Sequence, residues 1–266
     1  MTSNNSSDKK VPSEVFITQA KELVEKANSR GIPLRIMGAL AIRIHSKGFE
    51  ELHRRLKRLG GGQEFTDIDL MSYGKYRKEV RKFFEELGYN PDRGLLLTGG
   101  WEKRHIYHEP QDRFHVDVFF DKLEMCHDID FRGRLEVDYP TIPLAELLLE
   151  KMQIVEINEK DLKDSIVLLR AHPVGDTDKD TINAKRIAKL LASDWGFYYT
   201  VTTNLKKLKD YTLMNKDLTE EEKEDVVSKI TQILDMIEKE PKSTKWKLRA
   251  KIGPKKKWYR EVYDFF

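Results

Sequence analysis

The sequence predicts an α+β fold, a small mixed sheet flanked by helices and followed by a helical region. Three observations lead there. Short apolar or alternating stretches, "IPLRIMG", "EFTDIDLM" and "RFHVDVFF", interleave with helical stretches in the first half of the chain. From Thr141 onward the apolar spacing becomes helical and stays so. The 266 residues suffice for one large core or two modest domains. No internal repeat is visible. The expected organisation is a disordered tail over 1–12, a sheet-bearing domain over 13–140, a helical domain over 141–240 and a basic segment over 241–266.

The opening "MTSNNSSDKK" is polar and lacks an apolar segment, so it reads as a tail and not a signal peptide. "SEVFITQAKELVEKANSRG" carries apolar residues at Phe16, Ala20, Leu23, Val24 and Ala27, the stripe of an amphipathic helix. Ser13 can cap its start and Gly31 can end it. "IPLRIMG" then predicts a short strand ending at Gly38. "ALAIRIHSKGFEELHRRLKRL" predicts helix with a break near Gly48, and the glycines at 60–62 predict a flexible turn. After the strand carrying Asp67 and Asp69, "KYRKEVRKFFEELG" predicts a helix with Val80, Phe83, Phe84 and Leu87 inward. "EKRHIYHE" and "RFHVDVFF" alternate and flank "PQD", which predicts a hairpin. "AELLLEKMQIVEI", "EKDLKDSIVLLRAH" and "DTINAKRIAKLLAS" predict successive helices. "LTEEEKEDVVSKITQILDMIEKE" opens with a capping box, Thr219 with Glu222.

Composition narrows the class. Hydrophobic residues make up 39% and charged residues 35%, as in a protein with a highly charged surface. No run of eighteen apolar residues exists, so a membrane span is not expected. The single cysteine, Cys126, excludes an intramolecular disulfide and fits a reducing, cytoplasmic setting. A net charge of +3 does not by itself imply nucleic acid.

The chemistry concentrates in the acids of the predicted strands. Asp67 and Asp69 are two apart, so both carboxylates leave one face while Ile68 and Leu70 leave the other. Two anions that close repel, and burying them is costly unless a cation intervenes. A third acid, Asp117 in "HVDVFF", shares a face with His115 and Phe119. Were the two strands neighbours, three carboxylates would converge into a site for a hard divalent cation.

The order strand, Gly38, helix, "TDIDLM", "HVDVFF" resembles the nucleotidyltransferase superfamily that includes polymerase beta. "GALAIRIH", "FTDIDLM" and "KMQIVEINEKDLKD" are most similar to its abortive-infection, AbiE-type toxin branch, over roughly residues 30–172. The resemblance implies a nucleotidyltransferase-like mixed sheet over 13–140, with magnesium or manganese as cofactor and an NTP as substrate. It implies that Asp67, Asp69 and Asp117 hold the metal. It places nucleotide phosphates at the turn of Gly38 and Ala39, with Lys151 as the downstream lysine and Lys160, Asp161 and Asp164 as the "KD-x-x-D" segment. Relatives that add nucleotides to transfer RNA imply an RNA or tRNA acceptor, and the toxin branch implies an antitoxin partner. The same superfamily includes adenylyltransferases of small molecules such as aminoglycosides. A catalytically silent nucleotide-binding module is the third expectation. Where the family has Gly-Gly or Gly-Ser, this chain has Gly38 and Ala39, so the serine hydroxyl is missing there. Ser72 is the expected substitute.

The remaining candidates are weaker. "HDIDF" at 127–131 is a second D-x-D, expected to be a loop without a metal. Lys151 can snorkel from its apolar helix or reach phosphate. Asp161 and Asp164 can pair with Lys160 or Lys163, or orient Lys151 and the nucleotide. His105, His108 and His115 match no zinc spacing and are expected to pack or face solvent. The C-terminal stretch crowds Lys245, Lys247, Arg249, Lys251, Lys255, Lys256, Lys257 and Arg260 beside Trp246, Trp258 and Tyr259, which suits RNA phosphate contact and base stacking.

Overall fold

The computed structural model describes residues 10–59, 64–97 and 100–262. The glycine turn expected at 60–62 and most of the expected tail lie outside the described residues. Helix α1 (Ser13–Ser29) buries Phe16, Ala20, Leu23, Val24 and Ala27, the predicted stripe. Its cap is Pro12, not Ser13, which sits inside the first turn and makes no side-chain cap bond. Proline suits that place because it needs no N–H partner and its φ of −60° leads into the helix.

Strand β1 (Leu34–Ile36) runs into α2 (Gly38–His45), and α3 (Glu50–Leu56) follows the break at Gly48. Strand β2 (Asp67–Ser72) leads through a 3₁₀ turn to α4 (Arg77–Glu86). Strand β3 (Asn90–Pro91), the short α5 (Arg93–Leu97), β4 (Arg104–His108) and β5 (His115–Phe120) come next. These five strands form one sheet in the order β1-β2-β5-β4-β3. Strands β2 and β5 are parallel, and the other neighbours are antiparallel, including the predicted β4–β5 hairpin. The sheet is therefore mixed.

The pleat sorts the side chains. Ile68, Leu70, Val116 and Val118 are fully buried, as alternation predicts. Phe84 of α4 stacks on Tyr107 of β4 with centroids 4.2 Å apart. After β5, β6 (Lys122–Glu124) and β7 (Asp128–Asp130) form a second small hairpin. The "HDIDF" stretch is thus partly strand where a loop was expected, because Ile129 is buried between its two acids.

Residues 140–142 run beside Ile36: Ile36 N–H donates to Pro140 O, and Ile142 N–H donates to Ile36 O. That contact sets α6 (Leu144–Met152) against α2. Helices α7 (Glu159–Ala171), α8 (Ala184–Leu191), α9 (Trp195–Met214), α10 (Glu220–Lys239) and α11 (Thr244–Ile252) complete a helical C-terminal region. One departure interrupts it. Val174–Gly175 (β8) and Ile182–Asn183 (β9) pair in parallel, so α8 starts only at Ala184, where Asn183 accepts from Arg186 N–H. No helix among the described residues is long and apolar enough to cross a membrane.

The capping box of α10 is formed as read: Thr219 Oγ1 accepts from Glu222 N–H, and Glu222 accepts from Thr219 N–H. Replacing Thr219 with Ala should destabilise the protein by about 1 kcal/mol, read as a lowered midpoint in urea denaturation.

Candidate active site

The register of β2 against β5 assembles the acids. Asp67 lies opposite His115, and Asp69 lies opposite Asp117. Asp117 is buried, and the Arg104 guanidinium of the next strand donates to its Oδ2. Its Oδ1 is buried without a partner. His115 Nε2 lies 3.8 Å from Asp67 Oδ2 and 3.9 Å from Asp117 Oδ2, at the rim of the acid group. It has a place at the site that its expected packing or surface role did not foresee.

Burial pushes the Asp69 carboxyl well above the ordinary carboxylate range, and the nearby Asp67, Asp117 and Glu150 push it further. Burial also raises Asp117, although Arg104 opposes the shift. Asp69 therefore holds its proton at pH values where a solvated aspartate has lost it, unless a cation arrives.

Gly38 closes this side of the site. Met37 N–H donates to Asp69 O at 2.9 Å, tying the turn to the acid strand. Gly38 has φ +67°, and a Cβ there would stand 2.9 Å from Asp69 Oδ2. Only glycine meets both demands. Its N–H donates to Glu150 Oε2 at 3.0 Å, from the last turn of α6.

Opposite the acids stands a buried ionic group. Lys151 Nζ lies 2.9 Å from both Asp161 Oδ1 and Asp164 Oδ2. Arg58 Nε donates to both Asp164 oxygens at 2.9 Å and Arg58 Nη1 donates to Glu64 O. Burial works against the Lys151 ammonium, but Asp164 and Asp161 hold its pKa above the ordinary lysine value. Of the partners expected for Asp161 and Asp164, Lys151 is the one both meet. Lys151 does not snorkel to water, being 7% exposed.

Gly38, Ala39, Arg58, Asp67, Asp69, Lys151 and Lys160 share the lining of one cavity of about 180 Å³. Sites for whole drug-sized ligands run to roughly 300 Å³ and more. The cavity is small beside such sites. Ser72 is not part of it. Three residues beyond Asp69, it faces the other side of the sheet, is fully buried and donates to Pro33 O at 2.6 Å. The expected substitute hydroxyl is absent from the site. Arg58, Arg104 and Glu150 are the additions that the sequence did not single out.

A divalent cation fits this donor set. Among the described residues no three His, Cys, Asp or Glu side chains stand ready around one metal position. The donors themselves are of the kind a hard cation takes: Asp67 and Asp69 are carboxylates, Asp117 Oδ1 is buried and unpartnered, and glycine leaves space beside Asp69. Lys151 is matched by Asp161 and Asp164 and Arg58 by Asp164, while the Arg58 charge also acts on Asp67.

The other candidates sit elsewhere. Asp128 binds Arg260, and Asp130 binds Arg132, so the second D-x-D is engaged in ion pairs. His105 is buried against Trp101 and accepts or donates to Tyr107 Oη at 2.8 Å, while His108 reaches Asp92. The three histidines do not converge. The C-terminal segment folds back on α9: Trp258 Nε1 donates to Thr200 Oγ1 at 3.0 Å, and Arg260 donates to the Cys126 and Met125 carbonyls. A larger hollow of about 680 Å³ opens there, walled by Trp195, Trp246, Trp258 and Arg249. Its carboxylates are engaged, Asp128 by Arg260 and Asp194 as the cap of α9.

No family model matches the chain, and no curated protein matches it. A solved structure, the solution structure of the antibiotic-resistance factor ANT(2'')-Ia, is similar at 15% identity with a TM-score of 0.32. The likeness covers 85% of this chain and 97% of that one. At that level it carries no argument.

Two outcomes follow from the geometry. Gly38→Ala should cost about 1–2 kcal/mol for the left-handed backbone alone, with the clash against Asp69 added, measured by urea unfolding. The second concerns pH. Burial pushes Glu150 up from 4.5 to about 8. Below pH 4.5 folded and unfolded chains both keep that proton; above it the unfolded chain ionises while the folded chain resists until about 8. Stability from this group is therefore lost as pH rises through that window. Glu150→Gln lacks the titration, so its melting temperature should gain on the wild type from pH 5 to pH 9; a constant difference would contradict the burial of the acid.

Proposed function

We propose that this protein is a divalent-metal-dependent nucleotidyltransferase that moves a nucleoside monophosphate from an NTP onto RNA. One observation carries the reading: Asp67 and Asp69 share a cavity with the N-terminus of α2 and Lys151, while Asp117 stands opposite Asp69 across parallel strands.

The residues divide the work. The α2 amides after Gly38 face anions favourably, since helix N-termini carry unpaired N–H groups and positive potential. Lys151, held between Asp161 and Asp164, and the exposed Lys160 would contact phosphate oxygens. Asp67 and Asp69 would hold magnesium or manganese, with Asp117 completing the set. A bound ion of this kind supplies charge neutralisation on the phosphates and acidifies the attacking hydroxyl. In the transfer, the RNA hydroxyl oxygen bonds to the α-phosphorus, and the bond from that phosphorus to the β-phosphate bridging oxygen breaks. The hydroxyl proton would go to Asp117, the carboxylate opposite Asp69, and pyrophosphate leaves.

RNA as the acceptor rests on the C-terminal segment. Arg249 and Arg260 spend their guanidinium groups on backbone carbonyls and Asp128, and Lys257 reaches Glu261. Lys245, Lys247, Lys251, Lys255 and Lys256 stay exposed for phosphate. A toxin role with an antitoxin partner follows from the family resemblance alone.

Incubation with each α-labelled NTP, magnesium and total RNA tests the chemistry. Label should enter RNA, and Asp69→Asn should lower the rate at least about a hundredfold, as loss of a central electrostatic group does. Asp130→Asn should leave it unchanged. Label entering small molecules and not RNA would keep the chemistry and remove the acceptor. Neutralising Lys251, Lys255 and Lys256 together should flatten the slope of log affinity against log salt for single-stranded RNA by about 2, at roughly 0.7 per phosphate contact.

A further inference from the structure

We propose that Glu150 is a positioning residue for the nucleotide: from behind the glycine turn it grips the Gly38 N–H and so aims the following α2 amides into the cavity. This rests on the nucleotidyltransferase reading and adds to it a group that touches no substrate.

Glu150 Oε2 accepts from Gly38 N–H at 3.0 Å. The carboxyl is 6% exposed and lies outside the lining of the cavity, whereas its neighbour Lys151 lies within it. One turn of α6 therefore supplies both the support behind the turn and a cation in the cavity wall. Gly38 is fixed from two sides, by Glu150 through its N–H and by Asp69, whose Oδ2 fills the space a side chain would need. As the first residue of α2, Gly38 has no partner for its N–H within the helix, and that N–H takes Glu150 as its outside acceptor. Without one, the turn would relax toward the acceptor nearest at hand, and the amides beyond it would lose their aim.

The fold also gives a reason for an acid here. Glu150 Oε1 is buried with no partner. Such an oxygen is a costly thing to keep in a core. An apolar side chain of the same length would remove that cost and would also drop the Gly38 bond. The retained group is the one that holds the turn.

The variants Glu150→Gln, which keeps an acceptor oxygen, and Glu150→Met, which keeps the length and loses it, separate the roles. Calorimetric binding of each of the four NTPs with magnesium, circular dichroism and melting temperature are measured on all three proteins. For the NTP that the wild type binds best, Glu150→Met should bind about tenfold more weakly and Glu150→Gln within about threefold. In label transfer, KM should rise in Glu150→Met while kcat at saturating NTP moves less. Should Glu150→Met not fold, amide exchange on the wild type gives the same answer. The Gly38 amide should stay protected whether or not nucleotide is bound, while the Ala39 and Leu40 amides gain protection. Wild-type-like or tighter binding by Glu150→Met overturns the inference, tighter binding because it would mean that Glu150 competes with phosphate. Equal losses in both variants, or a Gly38 amide released by nucleotide, overturn it too. A wild type that binds none of the four NTPs removes the functional reading itself.

Discussion

The structure turns on the parallel, in-register pairing of β2 with β5, which sets the half-buried Asp69 directly opposite the buried Asp117. Parallel neighbours in a sheet stand about 4.8 Å apart, so these carboxyls cannot both be anionic without help. Much of the surrounding structure answers that demand. Arg104, one strand further on, covers one oxygen of Asp117. Gly38 gives up a side chain so that Asp69 has room. Asp69 keeps a raised pKa, a sign that the protein alone does not finish the compensation.

The helices behind the sheet work in the opposite sense. Lys151 and Arg58 are held by two aspartates of α7, each within 2.9 Å of a partner atom. Asp164 is fully desolvated, yet the charges of Lys151 and Arg58 hold its pKa below the ordinary aspartate value. A buried pair of this kind contributes little net stability, since desolvation offsets its attraction. Its effect is placement. It leaves a charged amine fixed in direction in the wall of the cavity that Asp67 and Asp69 also line.

The parts legible in the sequence were those set by local period. Alternation placed Asp67 and Asp69 on one face of "TDIDLM" and Asp117 with His115 on one face of "HVDVFF", the β2–β5 pairing joined the two faces, and the 3.6-residue stripe found α1 and α10. Lys151, Asp161 and Asp164 were marked by resemblance, but their mutual contact depends on how α6 packs against α7, which no spacing encodes. Arg58, Arg104 and Glu150 were missed for the same reason: each reaches its partner from a separate element. Ser72 failed by parity, since an odd step along a strand reverses the face. Ser13 lost the cap of α1 to Pro12, and a two-residue ladder between β8 and β9 was too short to show a period. In the C-terminal segment, basic and aromatic residues suggested an open binding strip. Trp258 instead bonds to Thr200, and its ring meets Tyr199 at 5.0 Å, so part of that strip is spent on packing.

The central claim is that the acid group is completed by a divalent cation beside the glycine turn. Crystals grown with manganese and a non-hydrolysable NTP analogue, with anomalous diffraction recorded near the manganese edge, test it most directly. The account predicts an anomalous peak within about 2.0–2.3 Å of carboxylate oxygens of both Asp67 and Asp69, as for a small hard divalent ion, with triphosphate density beside the first turn of α2. Manganese bound only at other carboxylates, with Asp69 still packed against Gly38 and no density beside it, would contradict the account.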